Sequence, residues 1–166
     1  LNLAYSISVT TRAPRNMEKD GVDYFFVDIP TFKKMIEENK FLEYTYFVGN
    51  YYCTPLDYVE KLRNEGKNVF LEIEIEGAKE VLNKCKGDDV ISIFLVPPSL
   101  EELERRIRGR KSETDDVIQE RLLKAQREIA YKQHYQYKVV NDNLNKATNQ
   151  IKRIIKKHMA LANEIK

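Results

Sequence analysis

The alternation of apolar and polar positions changes character along the chain, and each change predicts an element. Residues 3–9 alternate apolar and small polar side chains, which predicts a short strand. A polar loop follows over 10–15, where Pro14 rules out a helix. Residues 23–28 (DYFFVD) are aromatic and β-prone. Pro30 opens a helix over 31–39 with Phe32, Met35 and Ile36 on one face. Residues 41–48 are again aromatic and β-prone, ending at the turn pair Gly49-Asn50, and 51–54 return as a brief strand. Thr54 as N-cap and Pro55 as first helical residue predict a helix that runs to Glu65 and stops at Gly66.

Beyond that point strands and helices alternate. Residues 68–75 (NVFLEIEI) read as a strand, and 77–84 as a helix closed by Gly87. Residues 90–96 are almost continuously apolar, the signature of a parallel strand buried on both faces, and Pro97-Pro98 ends it. Ser99 and Glu102 form a capping box that starts a helix to about residue 108. A polar loop over 109–114 leads into a long helix over 115–134 with acidic residues in its first turn. A last strand spans 137–140. An amphipathic helix over 144–165 carries Ile151, Ile154, Ile155, Met159 and Ala162 at helical spacing. The pattern predicts an α/β fold, a parallel sheet covered by helices, with a small β-rich lobe from the first third.

Composition narrows the function classes. The 166 residues are 42% hydrophobic and 33% charged, which fits a globular domain and excludes wholesale disorder. No apolar run is long enough to span a membrane, and no secretory signal is visible at the N-terminus. A net charge of +2 is too small to imply a nucleic-acid partner. Cys53, Cys85, His134 and His158 show no metal-ligand or redox spacing, so a reducing, cytoplasmic setting is expected. The chain opens with Leu1 rather than Met, which is expected of a fragment.

Several residues could carry chemistry. Arg12 and Arg15 lie three apart on a loop stiffened by Pro14, and could fork around a phosphate or lie solvated at the surface. Tyr24, Tyr44, Tyr46, Tyr51 and Tyr52 could stack on a base, reach a phosphate, or fill a sheet. Glu43 stands among residues that favour burial. It is either the outward position of an alternating strand or an acceptor for a planar donor pair such as guanine N1–H and N2. Adenine presents an acceptor at N1 and would be rejected. Glu72 and Glu74, near the end of an apolar strand, raise the same question. Residues 105–111 hold Arg105, Arg106, Arg108, Arg110 and Lys111, with Arg121 beyond them. They could be a solvated helix end, a cluster closing over a phosphoryl group, or a nucleic-acid patch, although no interleaved aromatics favour the last.

In order, these pieces resemble the guanylate kinase family. The resemblance is carried by residues 8–15 (SVTTRAPR), 21–26 (GVDYFF), 41–44 (FLEY), 49–54 (GNYYCT), 71–74 (LEIE), 97–99 (PPS), the arginine-rich stretch and 139–142 (VVND). It implies a P-loop-kinase-like sheet with a GMP-binding lobe over about 10–75, a helical lid over about 105–121, and the remainder of 1–166 as core. It further implies phosphoryl transfer from ATP to GMP with Mg²⁺, or else a catalytically silent interaction domain on the same fold. The complete GMP set favours the enzyme. Ser8, Arg12, Arg15, Tyr24 and Tyr52 would hold the GMP phosphate, with Glu43 and Thr54 reading guanine and Glu74 lining the pocket. Arg106, Arg110 and Arg121 would surround the ATP phosphates, Arg110 and Asn141 on the ATP side. GMP and ATP are the implied partners, with no nucleic acid and no membrane. The family's P-loop, G-x-x-x-x-G-K-[ST], does not occur in the 166 residues. It is expected upstream of Leu1, leaving residues 1–166 able to recognise GMP weakly but not to turn it over. Cys53 and Lys111 stand where the family often has Gly.

Overall fold

The computed structural model describes residues 1–85, 90–109 and 114–164, with side chains described as far as 160. The chain divides into two compact units, Leu1–Gly87 and Asp88–Lys166. The first unit contains, in order, β1 (Leu3–Tyr5), β2 (Val9–Thr10), β3 (Phe25–Phe26), α1 (Ile29–Glu37), β4 (Phe41–Phe47), β5 (Asn50–Pro55), α2 (Leu56–Asn64), β6 (Asn68–Phe70) and α3 (Ile75–Lys84).

The stretch predicted as one strand over 3–9 is shared between two sheets. β1 runs parallel to β6, and the Ser6 amide makes the last bond of that ladder to Phe70 O at 3.0 Å. Two residues on, Ser8 O accepts from Phe25 N at 2.9 Å, and the chain enters a four-stranded sheet of order β3-β2-β5-β4. Local alternation cannot say which sheet a strand joins, so the break was invisible in the pattern.

One face of this sheet is packed by α1. The helix starts earlier than Pro30 suggests, because the Asp28 carboxylate caps it, accepting from Thr31 N at 2.8 Å. Phe32 projects into the sheet and is fully buried, with ring centroids 4.8 Å from Phe41 and 5.1 Å from Tyr51. Val9, Phe32, Phe41 and Cys53 form this core, and Met35 and Ile36 pack against it from the predicted helical face. A second cluster, Leu42, Val59 and Val81, joins α2 and α3 to the unit, with Leu71 and Ile73 packed on it. Those two residues explain why the strand predicted over 68–75 stops at Phe70. Their alternation serves packing beyond the ladder, and the backbone turns into α3 at Ile75.

The β4–β5 hairpin turns one residue earlier than the Gly49-Asn50 signal. Phe47 pairs with Asn50, leaving Val48-Gly49 as a two-residue loop with φ of 45° and 80°. Positive φ at both positions is what a type I′ turn requires, and it suits Asn-Gly far better than a β-branched residue. Val48→Asn is therefore expected to stabilise the chain by about 1 kcal/mol, the usual left-handed cost of an ordinary residue. A urea melt showing no rise in midpoint would contradict this.

α2 also differs in its start. Thr54 stays in β5, and the helix begins at Leu56 after Pro55, with no side chain capping it.

The second unit contains β7 (Ile93–Val96), α4 (Leu100–Gly109), α5 (Asp115–Ala130), a 3-10 turn (Tyr131–His134), β8 (Tyr137–Val140) and α6 (Leu144–Glu164). β7 and β8 are parallel, and Val139, Ala147 and Ile154 form the core beneath them. The strand is shorter than 90–96, and Leu95 is 49% exposed within the described structure, so burial on both faces is not found. Ser99 Oγ accepts from Glu102 N at 3.1 Å, but the Glu102 carboxylate turns to Arg105 and Arg106. Only half of the capping box forms. The helix predicted over 115–134 tightens into the 3-10 turn after Ala130. Along α6, Ile154 and Ile155 are buried, as the stripe predicts. Gly87, Arg110, Lys111 and the rest of the predicted loop to 113, Ile165 and the Ala162 side chain lie outside the described residues. Among the described residues, no helix is long and apolar enough to cross a membrane.

Candidate functional site

The face of the four-stranded sheet opposite the Phe32 core gathers most of the residues singled out from the sequence. On this face Thr10 lies across from Tyr52, Tyr52 across from Thr45, and Thr54 across from Glu43. Tyr52 and Thr54 are two residues apart on β5, so they share a face at a spacing of roughly 7 Å.

In a regular alternating strand Glu43 would share the face of Phe41, which lies in the Phe32 core. The ladder instead shifts register between Phe41 and Glu43, and three successive residues, Phe41, Leu42 and Glu43, are buried. A β-bulge of this kind re-aims the side chain that follows it. Glu43 is consequently 2% exposed. Thr54 Oγ1, itself fully buried, donates to Glu43 Oε1 at 2.5 Å. Oε2 is buried with no hydrogen-bond partner among the described residues, an unusual state for a carboxylate oxygen. Burial raises the Glu43 pKa above its ordinary value, and the Thr54 hydrogen bond offsets only part of that effect.

The other end of the site is the loop after β2. Thr10 Oγ1 accepts from Arg12 N at 3.1 Å and donates to Tyr51 O at 3.0 Å, which fixes the loop to β5. Thr11 Oγ1 adds a second tie, accepting from Tyr51 N at 2.9 Å. The Arg12 guanidinium then lies 5.4 Å from the Tyr24 ring centroid, and the Tyr24 and Tyr52 rings meet at 6.2 Å. Arg12, Tyr24 and Tyr52 are thus brought together. Arg15 is exposed on the same loop, and Ser8 is half-buried just before β2.

Glu18 escaped the sequence reading. Its two carboxylate oxygens each accept from Arg12 at 3.0 Å, and Oε2 also accepts from Arg15 N at 2.8 Å. The Arg12 fork holds the Glu18 carboxyl below its ordinary pKa. Its signal was present: an acid three residues after Arg15, the spacing at which a tight turn folds back.

The remaining acids lie beyond the carboxyl end of β6. Glu72 accepts from Tyr5 Oη at 3.2 Å, and burial together with Glu72 pushes the Tyr5 hydroxyl up to about 12. Glu74 is the half-buried residue preceding α3. The tyrosines sort by face: Tyr51 packs in the core, Tyr24 and Tyr52 border the arginine loop, and Tyr46 is 61% exposed.

In the second unit, Arg106 holds two elements together. It donates to Glu102 Oε1 at 2.7 Å and to Asn141 O at 2.7 Å, pinning α4 to the turn after β8. Asn141 N donates to Val96 O at 2.8 Å, extending the β7–β8 ladder. Arg121 is half-buried on α5. Arg110 lies outside the described residues. Among the described residues no cluster of three or more His, Cys, Asp or Glu could hold a metal ion.

Comparison with known proteins gives one answer. The guanylate kinase family model matches residues 2–158. A guanylate kinase of Bacillus cereus is 54% identical over 151 residues, covering 91% of this chain and 73% of that protein. One from Mesoplasma florum is 52% identical over 155 residues, covering 93% of this chain and 52% of its own length. The crystal structure of guanylate kinase from Anaplasma phagocytophilum superposes with a TM-score of 0.80 at 33% identity, covering 94% of this chain and 76% of that one.

Proposed function

Because the chain belongs to the guanylate kinase family, we propose that it acts in the transfer of the ATP γ-phosphoryl group to GMP, with the β-rich lobe as the part that selects GMP. The observation that carries the lobe assignment is the buried Glu43–Thr54 pair on the same sheet face as Tyr52, with Arg12 and Tyr24 beside it. Guanine's N1–H and N2 amino group donate to the Glu43 carboxylate, and Thr54 both orients that carboxylate and offers its hydroxyl to the base. Arg12, Arg15, Tyr24, Tyr52 and Ser8 take the phosphate, and Glu74 lines the pocket. One end reads the base and the other grips the charge.

In phosphoryl transfer the protein supplies positioning and charge stabilisation. The side chains proposed for the ATP phosphates are Arg106, Arg110 and Arg121, with Asn141 on the adenosine side. Mg²⁺ is the proposed cofactor, carried on the nucleotide phosphates, where it neutralises charge. This ion keeps several of its waters and is usually bound through substrate phosphates rather than by an all-protein cage. The reading places the protein in the cytoplasm, with nucleotides as its partners and neither nucleic acid nor membrane among them.

Isothermal titration of the chain with GMP and AMP tests the proposal. GMP must be preferred sharply, since a site built around donors of its substrate can reject the analogue by ~10⁴-fold in favourable cases. Equal affinities would remove the base-reading role of Glu43 and with it the assignment. Binding is the cleaner readout, because no G-x-x-x-x-G-K-[ST] cradle for ATP occurs within residues 1–166.

The raised Glu43 pKa adds a pH signature. Guanine's donors need the ionised carboxylate, so GMP affinity falls as pH is lowered through the raised value. The loss should therefore begin above the ordinary value of 4.5. Titrations from about pH 8 down to about pH 5 check this against the usual carboxylate range. An affinity flat across that window contradicts it.

A further inference from the structure

Gly77 lies in the first turn of α3, and nothing in its backbone demands glycine: its φ is not in the left-handed region. A glycine in a helix is unfavourable relative to alanine. What requires it is Glu43. An ideal Cβ at Gly77 would fall well inside contact distance of Glu43 Oε2, 2.7 Å from Cδ and 3.3 Å from Cγ. Each of the three nearest atoms belongs to that one side chain. The carboxylate that Thr54 holds on one side is thus seated on the other against a helix surface that is open only because residue 77 has no side chain.

We infer that Gly77 is a positioning residue for base recognition, whose missing side chain fixes where the Glu43 carboxylate sits. The inference rests on the proposed role of Glu43 in reading guanine. A methyl group at position 77 meets the far end of a flexible side chain rather than backbone, so the side chain yields and the fold persists. The carboxylate is displaced from its seat against α3, and the acceptor geometry offered to the base is lost. The effect therefore appears in selectivity and not in stability.

The test compares wild type, G77A, E43D and the double variant G77A/E43D by titration with GMP and AMP, with thermal melts as the control for folding. G77A is expected to fold with an unchanged or higher melting temperature. Its GMP affinity should fall roughly 10- to 100-fold, the equivalent of losing one charge-assisted hydrogen bond, with little change for AMP. The double variant gives the decisive sign. Aspartate is one methylene shorter and withdraws from the added methyl, so E43D weakens GMP binding in wild type but strengthens it in G77A.

A G77A chain as selective as wild type overturns the inference alone. So does E43D costing the same in both backgrounds, or a G77A chain that fails to fold, because the Glu43 side chain would not then be what absorbs the added methyl. A wild type that binds GMP and AMP alike overturns the proposed function, and this inference with it.

Discussion

Glu43→Gln should erase the preference for GMP over AMP while leaving the chain folded. The carboxylate offers two acceptors to two guanine donors, and the amide replaces one acceptor with a donor. Charge-assisted hydrogen bonds contribute about 1.5–3 kcal/mol each; the amide forfeits one and leaves the other neutral, so GMP affinity falls by about 10- to 10³-fold. AMP should bind no worse, since adenine N1 can accept from the new amide. Stability moves the other way. A carboxyl whose folded pKa is raised contributes stability fully present below its unfolded pKa and lost as pH rises through the folded value. Above the unfolded value Glu43 therefore weakens the fold, and the neutral glutamine should keep or raise the melting temperature. Calorimetric titration and a thermal melt on the same sample measure both. An E43Q chain that still separates GMP from AMP would show that the base is read elsewhere.

Arg12→Lys should lower GMP affinity by roughly 10- to 100-fold while leaving guanosine binding unchanged. Lysine keeps the charge but cannot present the two parallel N–H groups with which Arg12 engages the Glu18 carboxylate, and a phosphate makes the same demand. The magnitude follows from losing one charged hydrogen bond of about 1.5–3 kcal/mol. Guanosine carries the base without the phosphate, so it isolates the two ends: E43Q should weaken both ligands, R12K only GMP. Parallel losses for GMP and guanosine in R12K would mean that the substitution disturbs the lobe rather than a phosphate contact.

The residues proposed to read the base and grip the phosphate could be singled out because short runs bring them together. Arg12 and Arg15 share a loop, and Tyr52 and Thr54 share a strand face whatever the rest of the chain does. The burial of Glu43 was not legible, because it depends on a register shift against β5, which no local pattern encodes. Glu18 carried a local signal in its spacing from Arg15, but its pairing with Arg12 appears only once the loop folds back. Gly77 read as an ordinary helix residue, and its significance lies in a contact with residue 43 on another element. Boundaries slipped where two signals competed. Asp28 was a stronger cap than Pro30 was a start, and the hairpin closed on Val48-Gly49 because the ladder, not turn chemistry, set the register. The alternation in 3–9 predicted extended chain but could not reveal that Ser6 and Ser8 bond to different sheets.

Pro55 decides what the residue before it can do. A proline ring clashes with helical geometry at the preceding position, which keeps Thr54 extended and inside the ladder. Pro55 is itself extended, with φ −69° and ψ 125°, as the last residue of β5, and α2 begins bare, without the hydroxyl or carboxylate that usually steadies a first turn. The lobe thus trades about 1 kcal/mol of helix-end stability for a hydroxyl locked in place beside its acid, and tightening that helix by replacing the proline would unlatch the threonine.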